Sequence, residues 1–225
     1  MQTPQMSGPE PFSFLPFAVS PLVVEALCVE RGRRLVLENV AFSLASGESL
    51  RVIGRNGAGK STLLRALAGL LPLRSGRIRL GSAEGEEASI ATHYLAHADG
   101  LRAVLTVSEN LEFWRAMLAD SGGADGLSLS EALARVGLSP LAEAPVGALS
   151  AGQKRRIALA RLFVARRPLW LLDEPLTALD KRARDQFAQA MRAHCEAGGV
   201  LVAATHEPLG FETTRTLDLD AAGRG

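Results

Sequence analysis

Three short stretches hold the residues whose types and spacing could do chemistry. The first is GRNGAGKST, residues 54–62. It follows an apolar run that reads as a strand and precedes one that reads as a helix, the context in which a glycine-rich loop cradles phosphate. Gly54, Gly57 and Gly59 let the backbone curl so that successive N–H groups point at one anion, with Arg55, Asn56, Ala58 and Thr62 completing the loop. The N-terminus of the following helix adds partial positive charge. Lys60 can reach the β- and γ-phosphates of a nucleotide, and Ser61 can ligate Mg²⁺. The second stretch is PLWLLDEP, residues 168–175, where an apolar run ends in two adjacent carboxylates. Asp173 is placed to hold Mg²⁺. Glu174 is then free to act as a general base on a water attacking the γ-phosphate. The third is LSAGQ, residues 149–153, small and polar, at the mouth of the basic run KRRIALARLFVARR.

Two further residues belong with these. His206 follows Thr205 at the end of an apolar run. A lone histidine is usually structural, but at the tip of a strand beside the Asp173 strand it could bond the γ-phosphate and orient the Glu174–water pair. Asp180 either caps the helix starting at Lys181 or contacts an opposing site, and both roles are compatible.

The elements that must position these groups are also legible. LVVEALCVE, RLVLENVAFSL and ESLRVIG read as strands, with a turn at 45–48. LLRALAGLL reads as a buried helix, residues 80–87 as a polar loop and THYLAH as a strand. From about Leu101 to Ser150 the pattern turns helical. Thr106 and Glu109 have capping-box spacing in TVSENLEFWRAMLAD, residues 106–120, whose Leu111, Trp114 and Leu118 have helical spacing; SGGADG breaks it, and SLSEALARVGL is a second short helix. The alternation of helix and strand then resumes, with helices at 151–166 and 181–197 and strands at 168–173 and 199–206.

Composition narrows the class. With 225 residues, 47% hydrophobic and 22% charged, the chain can bury a full core. A net charge of +1 supplies no general field for nucleic acid. Arginine supplies nearly all the basic charge, the only lysines being Lys60, Lys154 and Lys181. The two cysteines, Cys28 and Cys195, form no CxxC and no Cys/His cluster, which fits a reducing compartment. Residues 1–20 lack the positive n-region of a secretory signal and read as a flexible leader. No stretch approaches the 18 or so apolar residues of a membrane span.

Taken in order, residues 54–62, 149–153, 169–174, 177–180 and His206 resemble the Walker A, signature, Walker B, D-loop and H-loop motifs of the ATP-binding subunit of ABC transporters. The resemblance covers about residues 22–206. It implies an α/β fold: a P-loop NTPase core of ABC type with an N-terminal antiparallel β subdomain and an inserted helical subdomain. The divisions are then the leader 1–20, the P-loop half of the core 21–98, the helical subdomain 99–150 and the second half of the core 151–225. The resemblance also implies a homodimer that sandwiches ATP. Ser150, Ala151, Gly152 and Gln153 of each copy would touch ATP held by the other. Ser150 supplies a hydroxyl there, and Gly152 permits close approach. Two positions depart from the family pattern. Arg31 stands where an aromatic residue stacks on adenine, and a guanidinium can also stack on a base. His97 stands where a loop glutamine is usual.

Within the family, His97 in YLAH, SAGQKRRIALARL, PLWLLDEPLTALD and ATHEPL are similar to the haem-exporter ATPases of cytochrome c maturation. That similarity implies membrane subunits CcmB, with CcmC and CcmD, at the cytoplasmic side of a bacterial inner membrane. ATP hydrolysis would drive release of a haem-loaded periplasmic chaperone. Direct haem binding and nucleic-acid binding are not expected. The competing readings are an ABC transport ATPase for another cargo and a soluble ABC ATPase of an assembly such as iron–sulfur scaffold machinery. A scaffold ATPase tends to carry an acidic residue where Gln153 stands.

Overall fold

In a computed structural model, residues 14, 17, 18, 20–119 and 124–222 are described. The chain opens with strand β1 (Leu22–Arg31), hairpin partner β2 (Arg34–Leu44) and β3 (Ser49–Ile53). Helix α1 (Lys60–Leu67) follows the glycine loop. It stops earlier than LLRALAGLL suggests, because Gly69 adopts a φ of 70° and ends the helix, leaving Leu70 59% exposed. Next come β4 (Ser75–Leu80), β5 (Ala83–Glu84), α2 (Gly85–Ile90) and β6 (Thr92–Leu95). The stretch 80–87 is therefore not all loop.

The helical insertion holds α3 (Val107–Ala119), β7 (Ala124–Asp125) and α4 (Leu129–Arg135). The expected capping box forms: the Thr106 N–H donates to Glu109 Oε2 at 2.8 Å, and the Glu109 N–H to Thr106 Oγ1 at 3.1 Å. The break at SGGADG lies partly outside the described residues. Helix α5 (Ala151–Val164) follows; β8 (Ala165–Arg166) then pairs with β7 where the sequence suggested two more helical residues. The chain continues through β9 (Leu169–Asp173), α6 (Lys181–Glu196), β10 (Val200–Ala204), β11 (Arg215–Asp218) and α7 (Leu219–Ala222).

Two sheets organise these elements. One, in the order β2-β1-β4-β5, is antiparallel. The other, in the order β11-β3-β10-β9-β6, is parallel. Strands β9 and β10 are buried at every position, which is why both read as unbroken apolar runs. Their side chains alternate between two cores. Leu169, Leu171, Val200, Val202 and Ala204 face the core shared with α1 and the antiparallel sheet. Trp170, Leu172, Leu201 and Ala203 face the core shared with α5, α6 and the helical insertion.

Most of the leader lies outside the described residues, but Phe14 and Phe17 pack against Trp170 and His194. Phe14 meets Trp170 edge to face at 5.8 Å, and Phe17 meets His194 at 5.2 Å. His194 stacks on Trp170 at 4.1 Å. His194 and His93 are buried, and burial pushes both imidazoles down to about 3.

Candidate functional site

Strand β3 delivers the chain to Gly54 at its C-terminal end, where parallel sheets present ligand sites. The loop closes on itself through the Ala58 N–H to Arg55 O bond, 3.1 Å. Gly59 precedes α1 with a φ of 105°, and a Cβ there would lie 2.9 Å from Leu37 of β2. Only glycine suits both the backbone angle and the approach of β2. No side chain caps α1, so its first N–H groups stay available to an anion. Lys60 is 9% exposed. Its Nζ donates to Gly54 O at 2.6 Å and Arg55 O at 3.3 Å, and lies 3.0 Å from His206 Nε2. An ammonium only donates, so in this contact Nε2 is the acceptor.

A cavity of about 760 Å³ opens over this loop. Gly57 to Thr62 form its floor, and Arg31, Arg34, Arg55 and Val36 stand on its walls. Arg31, expected beside a base, is thus on the cavity. Asp220 completes it: its Oδ2 accepts the Arg55 N–H at 2.7 Å and its Oδ1 pairs with Arg55 Nε at 3.3 Å. Sequence reasoning missed Arg34 and Asp220. The hairpin tip that pairs Arg31 with Arg34 carried a signal for the first. The second depends on β11 joining β3, and its four mostly exposed residues give no apolar run to find.

Asp173 ends β9 and is buried. Glu174 follows with a φ of 46°, a left-handed backbone rare outside glycine and asparagine. Its N–H donates to Ala204 O at 2.9 Å, and its Oε2 accepts the Thr205 hydroxyl at 3.1 Å. Strand β10 lies between β3 and β9. Its end therefore touches both chemistries, with Thr205 on Glu174 and His206 on Lys60.

The LSAGQ stretch is elsewhere. Ser150, Ala151, Gly152, Gln153, Asp180 and His97 do not line the cavity of their own chain. Ser150 and Gln153 form a capping box for α5: the Ser150 hydroxyl accepts from the Gln153 N–H at 3.2 Å, and Gln153 Oε1 from the Ser150 N–H at 2.8 Å. The S-x-x-Q spacing carried that signal. This use leaves the hydroxyl proton free to donate. A Cβ on Gly152 would lie 2.8 Å from Ala178 O, so within the chain the glycine admits the backbone at Ala178. Asp180 caps α6, its Oδ1 accepting the Ala183 N–H at 2.8 Å. His97 is exposed on the loop after β6.

Sequence reasoning missed Arg155. It is 3% exposed and donates from α5 to the carbonyls of Asp173, Glu174 and Pro175 and to Ala96 O and Asp99 Oδ1. One basic residue among several in KRR gives no sign of this. Nearby, the Arg161 guanidinium lies 3.3 Å from the Trp114 ring centroid and donates to Asp99 O at 3.0 Å.

Comparison with known proteins gives a consistent result. A family profile described as ABC transporter matches residues 37–177. The chain is 50% identical over 200 residues to the cytochrome c biogenesis ATP-binding export protein CcmA of Rhizobium meliloti (strain 1021), covering 88% of this chain and 97% of that one. To the protein of the same name in Chelativorans sp. (strain BNC1) it is 51% identical over 203 residues, covering 89% and 98%. Among solved structures, an ATP-binding subunit of an ABC transporter superposes with a TM-score of 0.72 at 27% identity, covering 82% of this chain and 79% of that one.

Proposed function

The chain belongs to the ABC transporter family of ATP-hydrolysing subunits, within the CcmA type, and from that premise we propose that it powers haem export or haem-chaperone release in c-type cytochrome biogenesis. The observation that carries the ATPase chemistry is the convergence at the tip of β10, where Thr205 holds Glu174 and His206 holds Lys60.

The chain's own groups define the steps. The loop N–H groups and Lys60 bind the β- and γ-phosphates, with Arg55, Asn56, Ala58, Ser61 and Thr62 shaping the cradle. Arg31 stacks on the adenine. Glu174, oriented by the Thr205 hydroxyl, takes a proton from the water that attacks the γ-phosphorus; the bond to the bridging oxygen breaks, leaving ADP and phosphate. His206 bonds the γ-phosphate and keeps that water in line. The Ser61 hydroxyl and Asp173 carboxylate are the hard oxygen donors that suit Mg²⁺. When bound, the ion neutralises charge developing on the phosphate oxygens.

Each site is completed by a second copy. Ser150 and Gly152, exposed or half-buried at the start of α5, are free to reach ATP on a facing subunit, and Asp180 borders the same contact. His97 lies on a loop that membrane subunits such as CcmB, with CcmC and CcmD, would contact. Leu70, Phe113 and Met117, all exposed large apolar residues, support a partner surface. No helix among the described residues is long and apolar enough to cross a membrane. The proposed place is peripheral, on the cytoplasmic face of the inner membrane.

The test is haem staining of c-type cytochromes in a strain lacking this gene and in one carrying Lys60→Ala. Loss of covalent haem in both is expected. Normal cytochromes in both would leave an ABC ATPase that serves another cargo.

A further inference from the structure

Glu174 holds a backbone conformation that its residue type disfavours, so its surroundings must enforce it. The enforcement is visible. The Glu174 N–H is tied to β10 through Ala204 O, and the carbonyls on both sides of its Cα are tied to one side chain. Arg155 Nη2 donates to Asp173 O at 2.9 Å and to Glu174 O at 2.8 Å, and Nε donates to Pro175 O at 3.3 Å. The other arm of the same guanidinium, Nη1, donates to Ala96 O and Asp99 Oδ1, both at 3.0 Å. Its ion-pair partner, Asp99, lies in the loop that carries His97.

We propose that Arg155 is a positioning residue for Glu174. It fixes the left-handed backbone at 174, and through Asp99 it makes that hold depend on the 96–99 loop. The proposal rests on the reading of Glu174 as general base. A guanidinium suits the task because its donors form a rigid planar fork, so one group fixes three consecutive carbonyls at set angles. Burial strengthens each contact and makes any unpaired partner costly. Without the fork, the carbonyls of Asp173 and Glu174 lose their donor. The peptide can then rotate toward an ordinary backbone angle, and the Glu174 carboxylate leaves the line set by Thr205. The loop end of the contact adds direction. A shift of the 96–99 loop pulls on Asp99, and the rigid guanidinium carries that pull to the general base.

The test uses the full-length protein in four variants: Arg155→Lys, Asp99→Asn, Glu174→Gln and the double Arg155→Lys/Glu174→Gln. ATP affinity is read with a fluorescent ATP analogue, turnover under single-turnover conditions, and folding by thermal melting. Lysine keeps the charge but cannot fork. Arg155→Lys is expected to lower the hydrolysis rate about tenfold with affinity within about twofold, part of the general-base contribution. Asp99→Asn, which removes the charge of the ion pair while an amide oxygen and the Ala96 carbonyl still accept at the loop end, lowers it less, and it carries the test if Arg155→Lys does not fold. The double variant hydrolyses at the rate of Glu174→Gln alone, because a residue that acts only by aiming the carboxylate has nothing further to lose. Wild-type rates in Arg155→Lys and Asp99→Asn with only a lower melting temperature, beside an inactive Glu174→Gln, would overturn the positioning role alone. A double variant whose loss is the product of the single losses would do the same. Normal turnover in Glu174→Gln would overturn the general-base reading, and the positioning role with it.

Discussion

Nζ of Lys60 and Nε2 of His206 stand 3.0 Å apart, although 146 residues of chain separate them. The contact exists because β10 runs between the strand that feeds the phosphate loop and the strand that ends in Asp173. Removing the ammonium by Lys60→Ala should weaken ATP binding at least about tenfold, since each charge-assisted hydrogen bond is worth about 1.5–3 kcal/mol. Equilibrium binding of a fluorescent nucleotide checks this, and unchanged affinity would remove Lys60 from the phosphate site.

Glu174→Gln should keep ATP affinity and slow hydrolysis about 100-fold or more, the usual size of a general-base contribution. Thr205→Val removes the hydroxyl that donates to Oε2 and should give a smaller loss in the same direction. Phosphate release assays on both variants rank the two effects, and near-normal turnover in Glu174→Gln would exclude it as the base.

Ser150→Arg should leave nucleotide binding by the single subunit intact and block ATP-driven pairing, because Ser150 is exposed and away from its own chain's cavity. Loss of the α5 cap should also cost about 1 kcal/mol of stability. Light scattering with and without ATP reads the pairing, and melting reads the cap. Pairing that survives would overturn the cross-subunit role of the LSAGQ stretch.

Acid should destabilise the protein through His93 and His194. Both are held near 3 in the folded state by burial, below the unfolded value of about 6.5. The unfolded chain therefore binds protons more readily as pH falls below about 6.5. Each histidine can contribute a loss of up to about 1.4 kcal/mol per pH unit between there and about 3, and nothing above that window. Urea denaturation between pH 7.5 and 5 measures the slope, and His194→Phe should reduce it. An unchanged slope would mean that His194 is not buried in its neutral form.

The phosphate loop, the Asp-Glu strand and most element boundaries were legible because each is a contiguous run with its own turn or cap signal. GRNGAGKST needs its glycines in place, and LWLLD is buried on both faces, so local sequence carries the answer. The contacts that join distant segments were not legible. Arg155 binds mostly backbone carbonyls, which have no residue identity to read. Asp220 reaches Arg55 only because β11 pairs with β3. Phe14 and Phe17 read as part of a loose leader because their partners, Trp170 and His194, are more than 150 residues away in the chain.

The guanidinium of Arg161 over the Trp114 ring has a practical corollary. The chain has two tryptophans, and the other, Trp170, is 1% exposed in the core. Trp114 also donates its indole N–H to Gly100 O at 3.2 Å, so its ring is clamped between α5 and the end of the 96–100 loop. With Trp170 replaced by phenylalanine, the emission of the native protein would report on that clamp alone. Any displacement of the loop on ATP binding or membrane-subunit docking would register as a spectral change, without an attached dye.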